Sequence, residues 1–394
     1  MKPAFYKALF VLLTTAFSCS VFSQTSFISF GSNWKYLDTD TRPGSWQTSG
    51  FDDSGWPSAP SMFGYNDGDV VTCVKSSALP ISCTPGGENK YITTYFRKSI
   101  TIANPAIFSD FTLNVYRDDG IVVYINGTER LANNMPAGRT HGTFASTCAL
   151  DDGDAINTFT IPTSAFSAGT NVIAVEVHQC NLTSSDLVFD MELIGNLAPS
   201  TLLNVSDVWK YLDNGSNQNT AWRAAGFNDA SWAAGPGQLG YGDGDEATVV
   251  SHGGCAPIGS CGPKPVTTYF RKTFNITGIN NYSDFTFSLF RDDGAIVYIN
   301  GQEVYTTNIS SGAAFNTLAT TASDDGNTAQ VFNITGCSGY LVEGSNTIAV
   351  EIHQSSLTSS DITFALAMVA NPSGVGAHQH LPVAHTCNQE VKLH

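Results

Sequence analysis

Along residues 346–353 apolar and polar positions alternate. Ile348, Val350 and Ile352 fall on one side of an extended chain, and Ala349, Glu351 and His353 on the other. A period of two belongs to a β-strand, whose successive side chains point to opposite faces. Ile121-Val122-Val123-Tyr124-Ile125 is a second β-rich run, bounded by Gly120 and Asn126. Asn126-Gly127 and Asn300-Gly301 predict type I′ hairpin turns, because both central residues of that turn need positive φ. No stretch carries a helical apolar period with capping residues. The pattern predicts an all-β chain of short strands, each with one face on a core and the other on solvent or a second layer.

The strands come in two sets. Trp34-Lys35-Tyr36-Leu37-Asp38 returns as Trp209-Lys210-Tyr211-Leu212-Asp213, and Arg117-Asp118-Asp119-Gly120 as Arg291-Asp292-Asp293-Gly294. Ala174-Val175-Glu176-Val177-His178-Gln179 returns as Ala349-Val350-Glu351-Ile352-His353-Gln354. The offset of about 175 residues is far above the roughly 20–50 of a solenoid repeat, so it marks a duplicated domain. The expected division is a signal segment at 1–23, domains at 24–197 and 198–372, and a polar tail at 373–394. Each copy has the length of a β-sandwich or jelly roll.

Lys2 and Lys7 before the apolar run Ala8–Leu13, with small residues up to Ser23, read as a secretory signal. No later segment is apolar enough to span a membrane. The expected location is therefore secreted or at the cell surface. The 394 residues carry a formal charge of −16, which argues against nucleic acid, since phosphate binding needs a basic surface. Eight cysteines follow the signal, an even number that fits disulfides in an oxidising compartment. Cys73 and Cys83 flank one loop, and Cys255 and Cys261 another. Cys148 aligns with Ala322 and Cys180 with Ser355, so the second copy lacks both together, as a bonded pair would. That predicts Cys148–Cys180 and leaves Cys337 and Cys387 for each other.

Trp-Lys-Tyr-Leu-Asp, then Phe227-Asn228-Asp229-Ala230-Ser231-Trp232, then Arg-Asp-Asp-Gly-x-x-Val-Tyr-Ile-Asn-Gly and Gly-x-Asn-x-Ile-Ala-Val-Glu-x-His, form a set that resembles the galactose-binding-like jelly-roll domain. Both copies are covered. The resemblance implies two tandem β-sandwich jelly rolls of secreted bacterial, Bacteroidetes-type proteins. It also implies a sandwich that often binds glycans and often holds a structural Ca²⁺, and it does not imply catalysis.

Two adjacent carboxylates at Asp118/Asp119 and Asp292/Asp293, with turn carbonyls, offer oxygen ligands to a hard cation. The same residues also suit a structural turn, with Arg117 and Arg291 pairing the carboxylates. Asp67/Asp69 and Asp243/Asp245 form D-x-D patterns in Gly-rich loops and are further Ca²⁺ candidates. Glu176 with His178, and Glu351 with His353, share a strand face; they suit sugar contact, or a cross-strand polar network reaching Arg97 and Arg271. Trp34, Trp56, Trp209 and Trp232 are expected to seal the core edge, whereas Trp46 and Trp222, in polar surroundings, are expected to be sugar platforms. Arg117 and Arg291 complete the candidate glycan contacts.

No G-x-S-x-G elbow, H-E-x-x-H or Walker loop occurs in the sequence. The expectation is a non-catalytic protein that binds polysaccharide or surface glycan, with Ca²⁺ as a structural ion. Two alternatives stay open. One is an accessory region of a metallophosphoesterase or glycoside hydrolase whose catalytic domain lies elsewhere. The other is a structural protein packing against copies of itself or an envelope partner.

Overall fold

The computed structural model describes residues 24–74, 91–149, 153–250, 264–322, 326–335 and 338–372. The signal segment, the tail and Cys83, Cys255, Cys261, Cys337 and Cys387 lie outside them. Two compact units follow one another, Gln24–Ala198 and one that starts at Pro199.

The first unit runs through β1 (Gln24–Ile28), β2 (Asn33–Leu37), β3 (Ser58–Pro60), β4 (Phe63–Tyr65), β5 (Thr72–Cys73), β6 (Thr93–Ile102), β7 (Phe108–Asp118), β8 (Gly120–Ile125), β9 (Thr128–Asn133), β10 (Asn157–Pro162), β11 (Gly169–His178) and β12 (Leu187–Leu197). They make two six-stranded sheets. One has the order β10-β7-β12-β4-β5 with β1 on β12; the other is β3-β2-β6-β11-β8-β9. The second unit repeats the plan with β13 (Ser200–Leu203), β14 (Val208–Leu212), β15 (Ala233–Pro236), β16 (Leu239–Tyr241), β17 (Thr248–Val249), β18 (Thr267–Ile276), β19 (Tyr282–Asp292), β20 (Gly294–Ile299), β21 (Gln302–Thr307), β22 (Gln330–Thr335), β23 (Gly344–His353) and β24 (Ile362–Pro372). Its sheets are β17-β16-β24-β19-β22 with β13 on β24, and β15-β14-β18-β23-β20-β21. The chain is all-β, as two tandem sandwiches.

Local chemistry explains the corners. Asn126 and Gly127 have φ of 51° and 84°, and Asn300 and Gly301 of 50° and 89°, the double positive φ the hairpins β8–β9 and β20–β21 require. Gly120 is fixed by crowding: a Cβ there would lie 2.5 Å from Met135 Sδ and 2.8 Å from Ala145 Cβ.

Each sandwich has a main core between its sheets. In the first, Ile173, Val175 and Val177 of β11 meet Phe96, Leu113, Val115, Phe189 and Met191. The other face of β11 is buried as well. The connection from β2 to β3 folds back over it, so that Trp46 and Trp56 pack on Tyr95 and Ala174 in a second, smaller cluster. In the second unit Trp222 and Trp232 cover Tyr269, Tyr298 and Ala349 in the same way. Burying one indole removes on the order of 200 Å² from water, worth about 5 kcal/mol at most, which is enough to hold an irregular segment against the sheet.

Candidate functional site

The covering connection decides the fate of the first set of candidates. Trp46 and Trp222 are 0% exposed, with ring centroids 4.6 Å from Tyr95 and 4.7 Å from Tyr269. Neither offers a face to a sugar, so the expectation of Trp platforms is corrected: these two residues are the lid's anchors. Trp34, Trp56, Trp209 and Trp232 are buried as expected. Beneath the lid sit the acid–imidazole pairs. His178 Nδ1 donates to the Thr143 carbonyl at 2.8 Å, and its Nε2 lies 3.6 Å from Glu176 Oε1, which accepts from the Tyr124 hydroxyl at 3.0 Å. Burial would raise the Glu176 pKa, but the adjacent His178 imidazole and the Tyr124 hydroxyl outweigh it and hold the carboxyl below its usual range. In the second unit His353 Nδ1 donates to the Thr317 carbonyl at 2.8 Å, and Glu351 accepts from Tyr298 at 2.6 Å and Arg223 at 3.5 Å. Glu176, His178, Glu351 and His353 are all buried. No substrate reaches them, which removes them as sugar contacts. The network also differs from expectation, because Arg97 and Arg271 pair instead with Asp53 and Asp229, each at 2.9 Å.

The Asp-Asp-Gly corners hold two kinds of carboxylate. Asp119 is an anchor: it accepts from Ala149 N at 2.6 Å, Cys180 N at 2.7 Å and Ser184 Oγ at 3.1 Å. Asp293 accepts from Ser355 N at 2.6 Å and Ser359 Oγ at 3.3 Å. Arg117 and Arg291 do not pair with these carboxylates. Their Nη1 atoms donate to the Asp119 and Asp293 carbonyls, and other donors go to Asn133 and Thr307, so neither guanidinium is a free glycan contact. Asp118 and Asp292 differ. Burial, reinforced by the neighbouring carboxyls of Asp119 and Asp186, pushes Asp118 far above the usual carboxylate range; burial with Asp293 and Asp361 does the same to Asp292. Among the four loop candidates, Asp67 accepts from Asp69 N at 2.7 Å, Asp243 from Thr363 Oγ1 at 2.8 Å and Asp245 from Gln238 Nε2 at 3.2 Å.

Oxygens of Asp119 and the sulfurs of Cys148 and Cys180 lie within 4.8 Å of one another. The two sulfurs form the expected disulfide, and Asp119 is already saturated by N–H and O–H donors. This trio therefore does not suit a metal. Cys73 is also disulfide-bonded. Of the Ca²⁺ candidates, Asp118 and Asp292 fit a hard cation best, since both are buried beside further carboxyls and Asp118 Oδ1 has no hydrogen-bond donor.

Sequence reading missed a partly exposed polar row on the outer face of one sheet. On the outer side of the β7–β12 sheet, Tyr116 stands opposite Asp190 and Asn114 opposite Glu192. Asn114 Nδ2 donates to Glu192 at 3.0 Å, and Thr158 Oγ1 donates to Asn114 at 2.9 Å, so a polar row crosses three strands. Half-buried Phe30 lies 5.0 Å from the Tyr116 ring at its edge. Asp190 is itself tied down by Ser61 Oγ and Gly31 N. The second unit has Phe290, Ala365, Ser288 and Ala367 in these places, with Val331 60% exposed beside them. The signal was available as the alternation Thr112, Asn114, Tyr116 along β7, but its partners arrive from strands far away in sequence.

No protein-family model matches the chain, and neither does any curated protein. Distant likeness is found among solved structures. A calcium-binding mutant of Bacteroides uniformis β-glucuronidase 2 is 12% identical, covers 84% of this chain and 28% of its own, and has a TM-score of 0.30. A Bacteroides vulgatus β-glycosidase is 13% identical, with 83% and 29% covered and a TM-score of 0.27. An anti-sigma factor domain-containing protein from Clostridium clariflavum is 13% identical, with 88% and 98% covered and a TM-score of 0.23. The chain thus spans less than a third of the glycosidases it resembles. Among the described residues no helix is long and apolar enough to cross a membrane.

Proposed function

We propose that this chain is an exported, non-catalytic glycan-binding module that serves as an accessory region of a carbohydrate-active enzyme, with the first unit as its binding half. The observation that carries the reading is the outer face of the first sandwich: a half-buried aromatic pair, Phe30 and Tyr116, beside the half-buried carboxylate of Glu192 and the exposed hydroxyl of Thr158, both held in place by the buried Asn114 amide. A sugar presents a C–H face and a ring of hydroxyls. An aromatic edge with adjacent planar polar groups answers both. The sealed acid–imidazole pairs support holding rather than turnover, because a general acid must reach the group it protonates.

Glycan arrays on the full chain test this. We expect retention of a polysaccharide or surface glycan, weakened about tenfold or more by Tyr116→Ala and by Glu192→Gln and left unchanged by Phe290→Ala; one lost stacking or charge-assisted contact is worth roughly 1–2 kcal/mol. An array with no retained glycan sinks the proposal. So does turnover of an aryl glycoside or phosphoester that disappears with Glu351→Gln.

A further inference from the structure

A buried carboxylate is tolerated when each oxygen meets a donor or a cation. Asp118 departs from that rule. It is 2% exposed, its Oδ1 accepts no hydrogen bond, and its carboxyl faces those of Asp119 and Asp186, the latter 5% exposed. A second orphan oxygen belongs to a residue hydrogen-bonded to the same Asp186 and to Tyr65, which adjoins Asp118. Gln179, fully buried, donates from Nε2 to the Tyr65 hydroxyl at 2.9 Å and to the Asp186 carbonyl at 3.0 Å. The carbonyl contact fixes which end of the amide is nitrogen, since only N–H donates to it. Gln179 Oε1, at the other end of this amide, is buried with nothing donating to it. The duplication repeats the facing carboxyls and the orphan amide oxygen. Asp292 faces Asp361, Gln354 Nε2 donates to the Tyr241 hydroxyl at 2.8 Å, and Gln354 Oε1 is again buried without a donor.

We propose that Asp118, Asp186 and Gln179 in the first unit, and Asp292, Asp361 and Gln354 in the second, are oxygen ligands for a hard divalent cation of the Ca²⁺ type. Two carboxylates balance the double charge. The amide oxygen supplies a neutral ligand, and water fills the rest of a flexible shell. An all-oxygen set excludes soft thiolate-seeking metals. Asp119 and Asp293 stay outside it, because backbone N–H groups hold them. The ion ties the end of β7, the chain after β11 and the start of β12 at one corner. Lys264, whose ammonium lies 4.7 Å from the Tyr241 ring and donates to the Ser360 carbonyl at 3.1 Å, places positive charge near the second site and makes it the weaker one.

The test is thermal melting and titration calorimetry of the EDTA-stripped full chain with CaCl₂, independent of any glycan. Ca²⁺ at about 5 mM is expected to raise the melting temperature by roughly 5 °C or more. Asp118→Asn together with Asp292→Asn should abolish the shift while leaving the EDTA-treated chain folded, since one of two facing carboxyls is then neutral. A wild-type chain that shifts by less than about 1 °C and releases no heat with CaCl₂ or MgCl₂ overturns the proposal, and the orphan oxygens are then met by water and protons. A full shift that survives the double variant also overturns it and moves the ion elsewhere, to loops such as Asp67–Asp69. Should the double variant not fold, Tb³⁺ luminescence sensitised by Tyr65 and Tyr241 in the wild-type chain decides: a signal displaced by Ca²⁺ supports the site, and no signal refutes it.

Discussion

Trp46 has Gly44, Ser45, Gln47 and Thr48 around it in sequence, and aromatic rings around it in space. Its polar neighbours turn outward while the connection they belong to is clamped from below. Arg97, 2% exposed, donates to Asp53 at 2.9 Å, to the Thr48 carbonyl at 3.2 Å and to the Trp46 carbonyl. A residue window reads local polarity and cannot see that clamp, which is why the sugar-platform expectation failed. The same geometry fixes the consequence of mutation. Trp46→Ala should cost the first unit about 4 kcal/mol by leaving a large cavity. Arg97→Met should cost about 3 kcal/mol, because Asp53 and two carbonyls lose their donor. Urea unfolding measures both. A Trp46→Ala chain with unchanged stability would place the ring outside the lid.

Strand identity was readable because alternation and β-branching agree along β11 and β23, and the hairpins because Asn-Gly tolerates the φ values found. The polar row was not readable, since Asn114, Thr158 and Glu192 meet only through the register of three strands. The loop after β11 lies between these cases. Thr183-Ser184-Ser185-Asp186 returns as Thr358-Ser359-Ser360-Asp361, a repeat that is visible in the sequence, went unused in reading it, and lies at the acidic corner. The Cys148–Cys180 bond belongs to this loop and was legible from its joint absence in the second copy. With 32 residues between its ends, it removes about 4 kcal/mol of chain entropy from the unfolded state on the loop-closure estimate. Cys148→Ala with Cys180→Ser writes the second copy's residues into the first. Calorimetry should then show one transition lowered by roughly 5 °C or more and the other unmoved. Two shifted transitions would mean the bond supports more than its own sandwich.

Each unit keeps its own cores, so the response of the whole chain to alkali is a sum over buried phenols. Burial raises Tyr65, Tyr95 and Tyr124 in the first unit and Tyr241, Tyr269 and Tyr298 in the second, with Glu176 and Glu351 reinforcing the shift at Tyr95, Tyr124 and Tyr298. Tyr269, pushed up to about 12, is the lowest of them. A phenol with a raised folded pKa keeps its proton where the unfolded chain, near 10, gives it up. Its contribution is therefore complete below about pH 10 and is lost as pH climbs toward the folded value. At pH 11 each fully buried phenol costs up to about 1.4 kcal/mol and half-buried Tyr124 less, so one unit loses at most about 4 kcal/mol. That is a large share of the roughly 5–15 kcal/mol that holds a domain. Absorbance at the tyrosinate band should thus stay low for these six groups and then rise together with the loss of circular dichroism between about pH 11 and 12. A smooth titration of all the phenols from about pH 10, with the fold intact, would mean that water reaches them and that the lids over Tyr95 and Tyr269 open freely.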